Sequence, residues 1–299
     1  VNAKGVPDYD VDLIIAQRIM FKALTEQLRD RKPGGKPILN DLDDWYWGLH
    51  RDNAAYEMVQ PGNNPEENIN HYKDILQLSD GIVVSTPFLR DKMILEFGIP
   101  YGNVTMIENC VDALSFKTRN HSQKKPIIGW VGSTAHRSGD LETVKDVFSD
   151  SYYRMHHSGA SPFAPSMAEK MGISSSRVSV SPMYEPVKYG ANAFNFDIGI
   201  APLNDIPFNQ AKSWIKAIEY SAAGIPFVAS DMPEYRRLHE TYGIGRLASS
   251  LEEWKHHLAE LRDRSVRVSE GKQNQRIVRE HLDVRQMAKN YDAVIESYL

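Results

Sequence analysis

Lys212, Lys216 and Glu219 recur at intervals of four and three. On a helix turning about 100° per residue they fall within roughly 60° of one another. Asn209 precedes them as a candidate N-cap, Gly224 stands after them as a candidate C′ residue, and Pro226 bars further helix. Free backbone N–H groups at a helix start attract phosphate, and a lysine there adds a full charge. A carboxylate two turns on can accept hydrogen bonds from sugar hydroxyls. Phosphate at one end and ribose at the other is what a nucleotide asks of a protein. The same residues also fit a surface helix carrying a Lys216–Glu219 pair at i,i+3, worth a few tenths of a kcal/mol.

A second group lies in IIGWVGSTAHRSGDL, where an apolar strand runs into Gly132, Ser133 and Thr134, then a polar turn, then a helix expected near Asp140. Glycine lets the backbone approach a ligand, and hydroxyls and amides can take phosphate oxygens. Strand-to-helix glycine loops are nonetheless common in α/β proteins. A third group is NDLDDWYW, with Asp41, Asp43 and Asp44 at a strand end beside Trp45, Tyr46 and Trp47. These acids can do acid–base or electrostatic work at a reacting centre, or cap a following helix. Trp45 and Trp47 can stack on a sugar, although burial is the commoner fate of such rings. Thr86 before Pro87 reads as a helix cap with proline at the first helical position. His156 and His157 occupy successive strand positions on opposite faces, which does not suit a metal pair.

The elements that must position these groups alternate strand and helix, which argues for parallel sheets covered by helices. One series runs through VDLIIAQR, KPILNDLDD, GIVVSTP and NVTMIENCVD, with helices through Leu28 and over ENINHYKDILQLSD and FLRDKMILEFG. The polar stretch KTRNHSQKK reads as a linker. A second series runs through KKPIIGWVG, a helix over DLETVKDVF, and strands at YYRMHHSG, FDIGIAPL and PFVASD. LEEWKHHLAELRD and VRQMAKNYDAVIESYL carry helical periodicity. The basic run RDRSVRVSEGKQNQRIVRE is interrupted by acids and reads as a solvated helix face.

The 299 residues, 41% hydrophobic and 25% charged, suit a folded protein of one large or two ordinary domains. No apolar run is long enough to span a membrane and no leader pattern opens the chain. A single cysteine, Cys110, excludes an internal disulfide and a cysteine zinc cluster, and a reducing cytoplasm is the expected setting. A net charge of −4 makes nucleic acid an unlikely partner without excluding it.

The stretch Asp205–Asp231 resembles the donor-binding motif of the GT-B glycosyltransferases, especially the retaining family 4 group. Their pattern is two glutamates eight positions apart, then small residues, Gly-x-Pro and a hydrophobic strand. Glu219 matches the second glutamate, which in the family holds the nucleotide ribose. AAGIPFVAS matches the small residues, the Gly-x-Pro and the strand. The first glutamate is replaced by Ala211. A subset of the family carries Asn-x-x-Lys-Ser-x-x-Lys-x-x-Glu, which Asn209, Lys212, Ser213, Lys216 and Glu219 fit.

The resemblance implies a GT-B architecture: two Rossmann-like domains with parallel sheets facing across a cleft, the N-terminal one shortened. The acceptor-side domain is expected over 1–117, completed by a terminal helix near 284–299, and the donor-binding domain over 125–283. It implies transfer of a sugar from a nucleotide-diphosphate donor to an acceptor of unspecified kind (protein, glycan, lipid or small molecule), with retention. A nucleic-acid base glycosyltransferase and a non-catalytic sugar-nucleotide-binding protein are the rival readings. Donor contacts are expected from the Gly132–Thr134 backbone, Arg137, Asn209, Lys212, Ser213 and Glu219, with Ser133 where the family has an arginine. Asp43 and Asp44 align with the family's histidine–acid pair and are the expected catalytic residues. No cofactor and no metal are expected: GT-B enzymes generally need none, and the Asp-x-Asp lies in the first series, away from the nucleotide features. Asn109 and Asp112 match a structural turn of the family.

Overall fold

The computed structural model describes residues 11–31, 35–59, 65–136, 138–149 and 152–299. The chain divides into two compact units. Unit 1 is drawn from Val1–Glu108, Ile206–Ser213 and Met287–Leu299, and unit 2 from Asn109–Asp205 and Trp214–Gln286. Unit 1 opens with β1 (Ile14–Gln17), α1 (Lys22–Arg31), β2 (Ile38–Leu42), α2 (Tyr56–Val59), α3 (Pro65–Leu78), β3 (Gly81–Val84), α4 (Pro87–Leu95) and β4 (Val104–Met106). Unit 2 continues with β5 (Ile127–Val131), β6 (Arg154–Ala160), α5 (Met167–Met171), β7 (Val178–Pro182), α6 (Pro186–Asn192) and β8 (Ile198–Ala201). The short α7 (Pro207–Gln210) belongs to unit 1. Unit 2 resumes with α8 (Ile215–Ala222), β9 (Phe227–Ser230), α9 (Pro233–Tyr242), β10 (Arg246–Ala248), α10 (Leu251–Glu260) and α11 (Arg264–His281). The last helix is α12 (Val284–Glu296), of which all but the first turn lies in unit 1.

In unit 1 the four strands are parallel and stand in chain order, β1-β2-β3-β4. Right-handed crossovers between strands laid in one direction send every connecting helix to the same face. Leu28 of α1, Tyr72 and Leu76 of α3, and Leu89 and Met93 of α4 accordingly share one core cluster. The other face presents Leu39, Val83 and Ile107 and is covered by Met287, Tyr291, Val294 and Tyr298 from the chain's end. Thr86 caps α4, accepting from the Leu89 amide at 3.3 Å, and its hydroxyl donates to the Ala211 carbonyl at 3.3 Å.

Unit 2 has six parallel strands in the order β10-β9-β8-β5-β6-β7. The first strand of the unit is thus central, and the chain winds outward from it on both sides. This doubly wound order puts helices on both faces of the sheet. Alternation along β5 sends Ile128 and Trp130 to one core, with Val144, Met171 and Leu258, and Val131 to the other, with Ala217, Leu238 and Val278. Phe196 lies directly over Gly129, where an added Cβ would come within 1.8 Å of its ring. Small residues there make room for the aromatic layer of Phe194, Phe196 and Tyr220.

Two local expectations need correction. DLETVKDVF forms a 3-10 turn over Glu142–Phe148 rather than an α-helix, anchored by Val144, Val147 and Phe148. The basic run near the C-terminus is not a plain solvated face, because α11 buries Arg267, Gly271, Asn274, Gln275 and Val278. Gly271 allows this: an added Cβ would come within 2.1 Å of the Gly224 carbonyl. The buried Arg267 guanidinium donates to the carbonyls of Leu261, Arg262 and Gln123, so its charge is spread over backbone dipoles.

Candidate functional site

In a doubly wound sheet the strand order reverses beside the first strand, and the loops leaving the two strands there diverge to opposite faces, opening a crevice at their carboxyl ends. In unit 2 that reversal lies between β5 and β8, and the residue leaving β5 is Gly132. Its φ of +142° favours glycine. Its amide donates to the Ser158 carbonyl at 2.9 Å, and its own carbonyl accepts from His157 Nε2 at 2.9 Å. Gly159 sits so close that an added Cβ would lie 2.9 Å from the Gly132 oxygen. Burial holds the His157 imidazole below its usual pKa, with nearby Lys216 acting the same way, so the ring clamps the loop as a neutral donor. After Gly132 the chain turns in a 3-10 segment, Thr134–His136, in which Thr134 is buried and donates its hydroxyl to the Pro165 carbonyl at 2.6 Å. Ser133 is half-buried and His136 exposed. The Gly132 amide and the Thr134 hydroxyl therefore both serve the fold. Arg137 lies outside the described residues.

Lys216 reaches this loop from α8. Its ammonium donates to the Val131 carbonyl, sits 4.9 Å from the centroid of the Trp130 ring, and lies 3.4 Å from where a Gly132 Cβ would stand. One turn further along α8, Glu219 is half-buried and accepts from the Tyr189 hydroxyl. Burial pushes its carboxyl above the ordinary range, while Lys216 and Tyr189 pull the other way. Glycine loop, lysine and carboxylate are thus gathered at the carboxyl end of β5 within one unit.

The helix carrying them differs from expectation. Asn209 is buried inside α7, while α8 starts at Ile215 with Trp214 as its N-cap. The break has two anchors. Ala211 is fully buried in the core of unit 1, and in unit 2 the Trp214 indole donates to the Asn109 carbonyl at 3.0 Å under the Arg237 guanidinium. Lys212 and Ser213 lie in the connection, both half-buried and both in unit 1. Lys212 therefore does not share a helical face with Lys216 and Glu219. Gly224, at φ +69°, does stand after the last helical turn as expected.

Unit 1 carries its own polar cluster at the carboxyl ends of β1 and β2. Lys212 pairs with Asp44 at 3.2 Å, its ammonium 4.2 Å from the centroid of the Phe208 ring. Burial and then the Asp44 charge push the Asp43 carboxyl up, with Arg18 opposing, and Asp43 Oδ1 is buried without a hydrogen-bond partner among the described residues. Burial also raises Asp41, which accepts from the Tyr291 hydroxyl and, at 3.1 Å, from Gln17. Arg18 donates to the Tyr46 hydroxyl from a backbone at φ +52°, the one non-glycine positive φ among the described residues. Burial and Asp44 push the Tyr46 phenol up to about 12. The N-cap of the following turn is Trp45 rather than one of the acids, and it makes no side-chain cap bond. Trp45 is buried, and Trp47 stacks on Tyr72 with centroids 5.4 Å apart, so these rings build the core.

Sequence reasoning missed Arg18, Tyr46, Tyr189, His157 and the particular place of Lys216. Lys216 had a signal, the second lysine of the Lys-Ser-x-x-Lys spacing. Tyr46 stood beside the acids in NDLDDWYW and His157 in its histidine pair, but nothing local gave either its partner; Arg18 and Tyr189 come from other elements and had no signal. The histidine pair does diverge as expected: His156 bonds Ser179 at 2.9 Å and Ser181 at 3.1 Å, away from His157. Asp112 is structural, accepting from Arg285 at 2.6 Å beside the Val111–Asp283 bridge.

No protein-family model and no curated protein sequence matches this chain. Solved structures do. Sucrose-phosphate synthase from Thermosynechococcus elongatus superposes with a TM-score of 0.68 at 17% identity, over 97% of this chain and 74% of that one. Anabaena HepE in complex with UDP gives 0.66 at 15% identity, over 96% and 79%. TarM gives 0.65 at 12%, over 93% of this chain but 53% of its own, so this chain spans about half the length of that relative. At such identities the likeness is one of fold, and the fold is that of the GT-B glycosyltransferases.

Proposed function

We propose that the protein is a glycosyltransferase that takes a sugar from a nucleoside diphosphate and gives it to an acceptor hydroxyl. The observation that carries this reading is the convergence of the Gly132 loop, Lys216 and Glu219 at the switch point of the unit 2 sheet. In this reading Glu219, steadied by Tyr189, accepts hydrogen bonds from the ribose hydroxyls. Lys216 and the backbone amides that follow Gly132 in the Gly132–Thr134 loop face the diphosphate, with Gly132 shaping the turn. Ser133, Arg137, Asn209, Lys212 and Ser213 enter as donor contacts by family resemblance.

The reaction breaks the bond between the anomeric carbon and the diphosphate and forms a glycosidic bond to the acceptor oxygen, which loses its proton. The departing diphosphate gathers negative charge, so fixed cations aimed at it lower the barrier most. Asp43 and Asp44 are the residues proposed to act on the acceptor hydroxyl or on positive charge at the anomeric carbon. Retention of configuration rests on the family resemblance. Two of the matching structures are of HepE with UDP and with UDP-glucose, which makes a uridine diphosphate sugar the first donor to try.

The test is thermal unfolding of the chain with UDP, GDP, ADP, TDP and CMP, with Glu219→Ala alongside. A ligand at about 100 times its dissociation constant stabilises by about 2.7 kcal/mol, a readily measured shift in midpoint. One nucleotide should raise the midpoint of the wild type and leave Glu219→Ala where it was. No shift with any of the five would sink the reading. A shift without sugar transfer would favour the binding-protein alternative, which the replacement of the family's sugar-contacting glutamate by buried Ala211 supports.

A further inference from the structure

We propose that the last turn of α10 holds a divalent transition-metal ion, best suited to zinc, between His256, His257 and Glu260. One ligand atom from each lies within 4.8 Å of the other two. His256 Nε2 is 3.5 Å from a Glu260 carboxylate oxygen, and His257 Nδ1 is 3.9 Å from the same oxygen. Ligands bound to tetrahedral zinc at 2.0–2.1 Å stand roughly 3.3 Å apart. Closing this set onto an ion therefore needs movements of about an ångström in two exposed side chains and none in the backbone.

The strongest evidence is the state of His257. Its Nε2 donates to the Leu247 carbonyl at 2.9 Å, which leaves the lone pair on Nδ1. That Nδ1 is buried and has no hydrogen-bond partner among the described residues. A ring whose far nitrogen is held by a backbone carbonyl while the near one faces a carboxylate is how metal-binding histidines are usually oriented. The helix adds to this, since the carbonyl end of α10 carries partial negative charge that favours a cation.

One cation already competes. Arg246 contacts Glu260, but it also holds Glu270 through Nε at 3.2 Å and through Nη2. An ion that took Glu260 would leave Arg246 paired with Glu270. Two imidazoles and one carboxylate select zinc, copper or nickel over magnesium or calcium, which prefer oxygen. The fourth position opens to water on the exposed side of His256. The site lies on α10 and uses none of the residues proposed to handle the donor or acceptor.

The experiment is calorimetric titration of zinc chloride into the full chain, with His256→Ala and Glu260→Gln alongside. The His256 side chain is 67% exposed, so its removal leaves the fold intact. One zinc per chain should bind in the micromolar range, and each substitution should weaken it by about tenfold or more. No zinc uptake below millimolar concentration, or uptake unchanged in both variants, overturns the site. Because the readout is zinc binding alone, its failure leaves the glycosyltransferase reading untouched.

Discussion

In unit 1 the strands keep chain order, whereas in unit 2 the chain starts at the centre of its sheet and winds outward on both sides. The first arrangement puts its connecting helices on one face and needs the distant α12 to cover the other. The second covers both faces with its own helices and creates a switch point, where Gly132, Lys216 and Glu219 gather. The carboxylates show the same division of labour. Asp197 in unit 2 is fully buried; burial alone would raise it, but the nearby His121 ring and the Ile127 and Arg119 N–H groups outweigh that and hold it below the usual range. Asp41, Asp43 and Glu219 are instead pushed above it, chiefly by burial. A depressed carboxylate strengthens the fold at neutral pH, and a raised one weakens it. Groups kept at the fold's expense are candidates for function.

The largest effect should come from Asp197→Ala. It leaves Arg119 and the buried His121 without their acid, at a cost of about 3–5 kcal/mol at neutral pH. Because the folded pKa of Asp197 is depressed, its contribution is complete above the ordinary carboxylate value and is lost as pH falls through the folded one. Urea unfolding at neutral and acid pH should therefore show the difference between variant and wild type shrinking in acid. A constant difference would break the contrast drawn between the carboxylates.

Next in size is the separation of the two lysines. Lys216→Met should weaken nucleoside diphosphate binding by about tenfold or more, the scale of a lost charge-assisted hydrogen bond. Lys212→Met should weaken it less, and should cost about 0.2–1 kcal/mol of stability through the Asp44 pair. Fluorescence titration with the nucleotide found in the thermal screen decides this. Equal losses in the two variants would make Lys212 as strong a donor contact as Lys216.

The smallest effect has the opposite sign. Asp43 titrates above its unfolded value, so its ionisation costs the fold stability as pH rises through that window. Asp43→Asn should make the fold slightly more stable at neutral pH and change nothing in strong acid. The same substitution should remove transfer activity. A variant that is more stable and still fully active would strip Asp43 of its proposed role.

Much of this was open to inspection in the linear chain. Alternating buried strands and amphipathic helices marked the α/β class, because period-2 and period-3.6 burial are written locally. Gly132, Gly224 and the Thr86–Pro87 cap were legible for the same reason: each answers a backbone requirement set by its immediate neighbours. The Lys216–Glu219 spacing was legible too, since three residues along a helix always meet. The break between α7 and α8 was not. It depends on Ala211 being held in one core and Trp214 in another, and nothing within the segment forecasts either anchor. Nor could the chain's order show that Lys212 would meet Asp44, that His157 would clamp Gly132, or that Tyr189 would bond Glu219. Local spacing dictates which residues share a face of a helix or strand. Which distant side chains then raise or lower their pKa, and which lysine stands at which strand end, is decided only when sheet order brings those elements together.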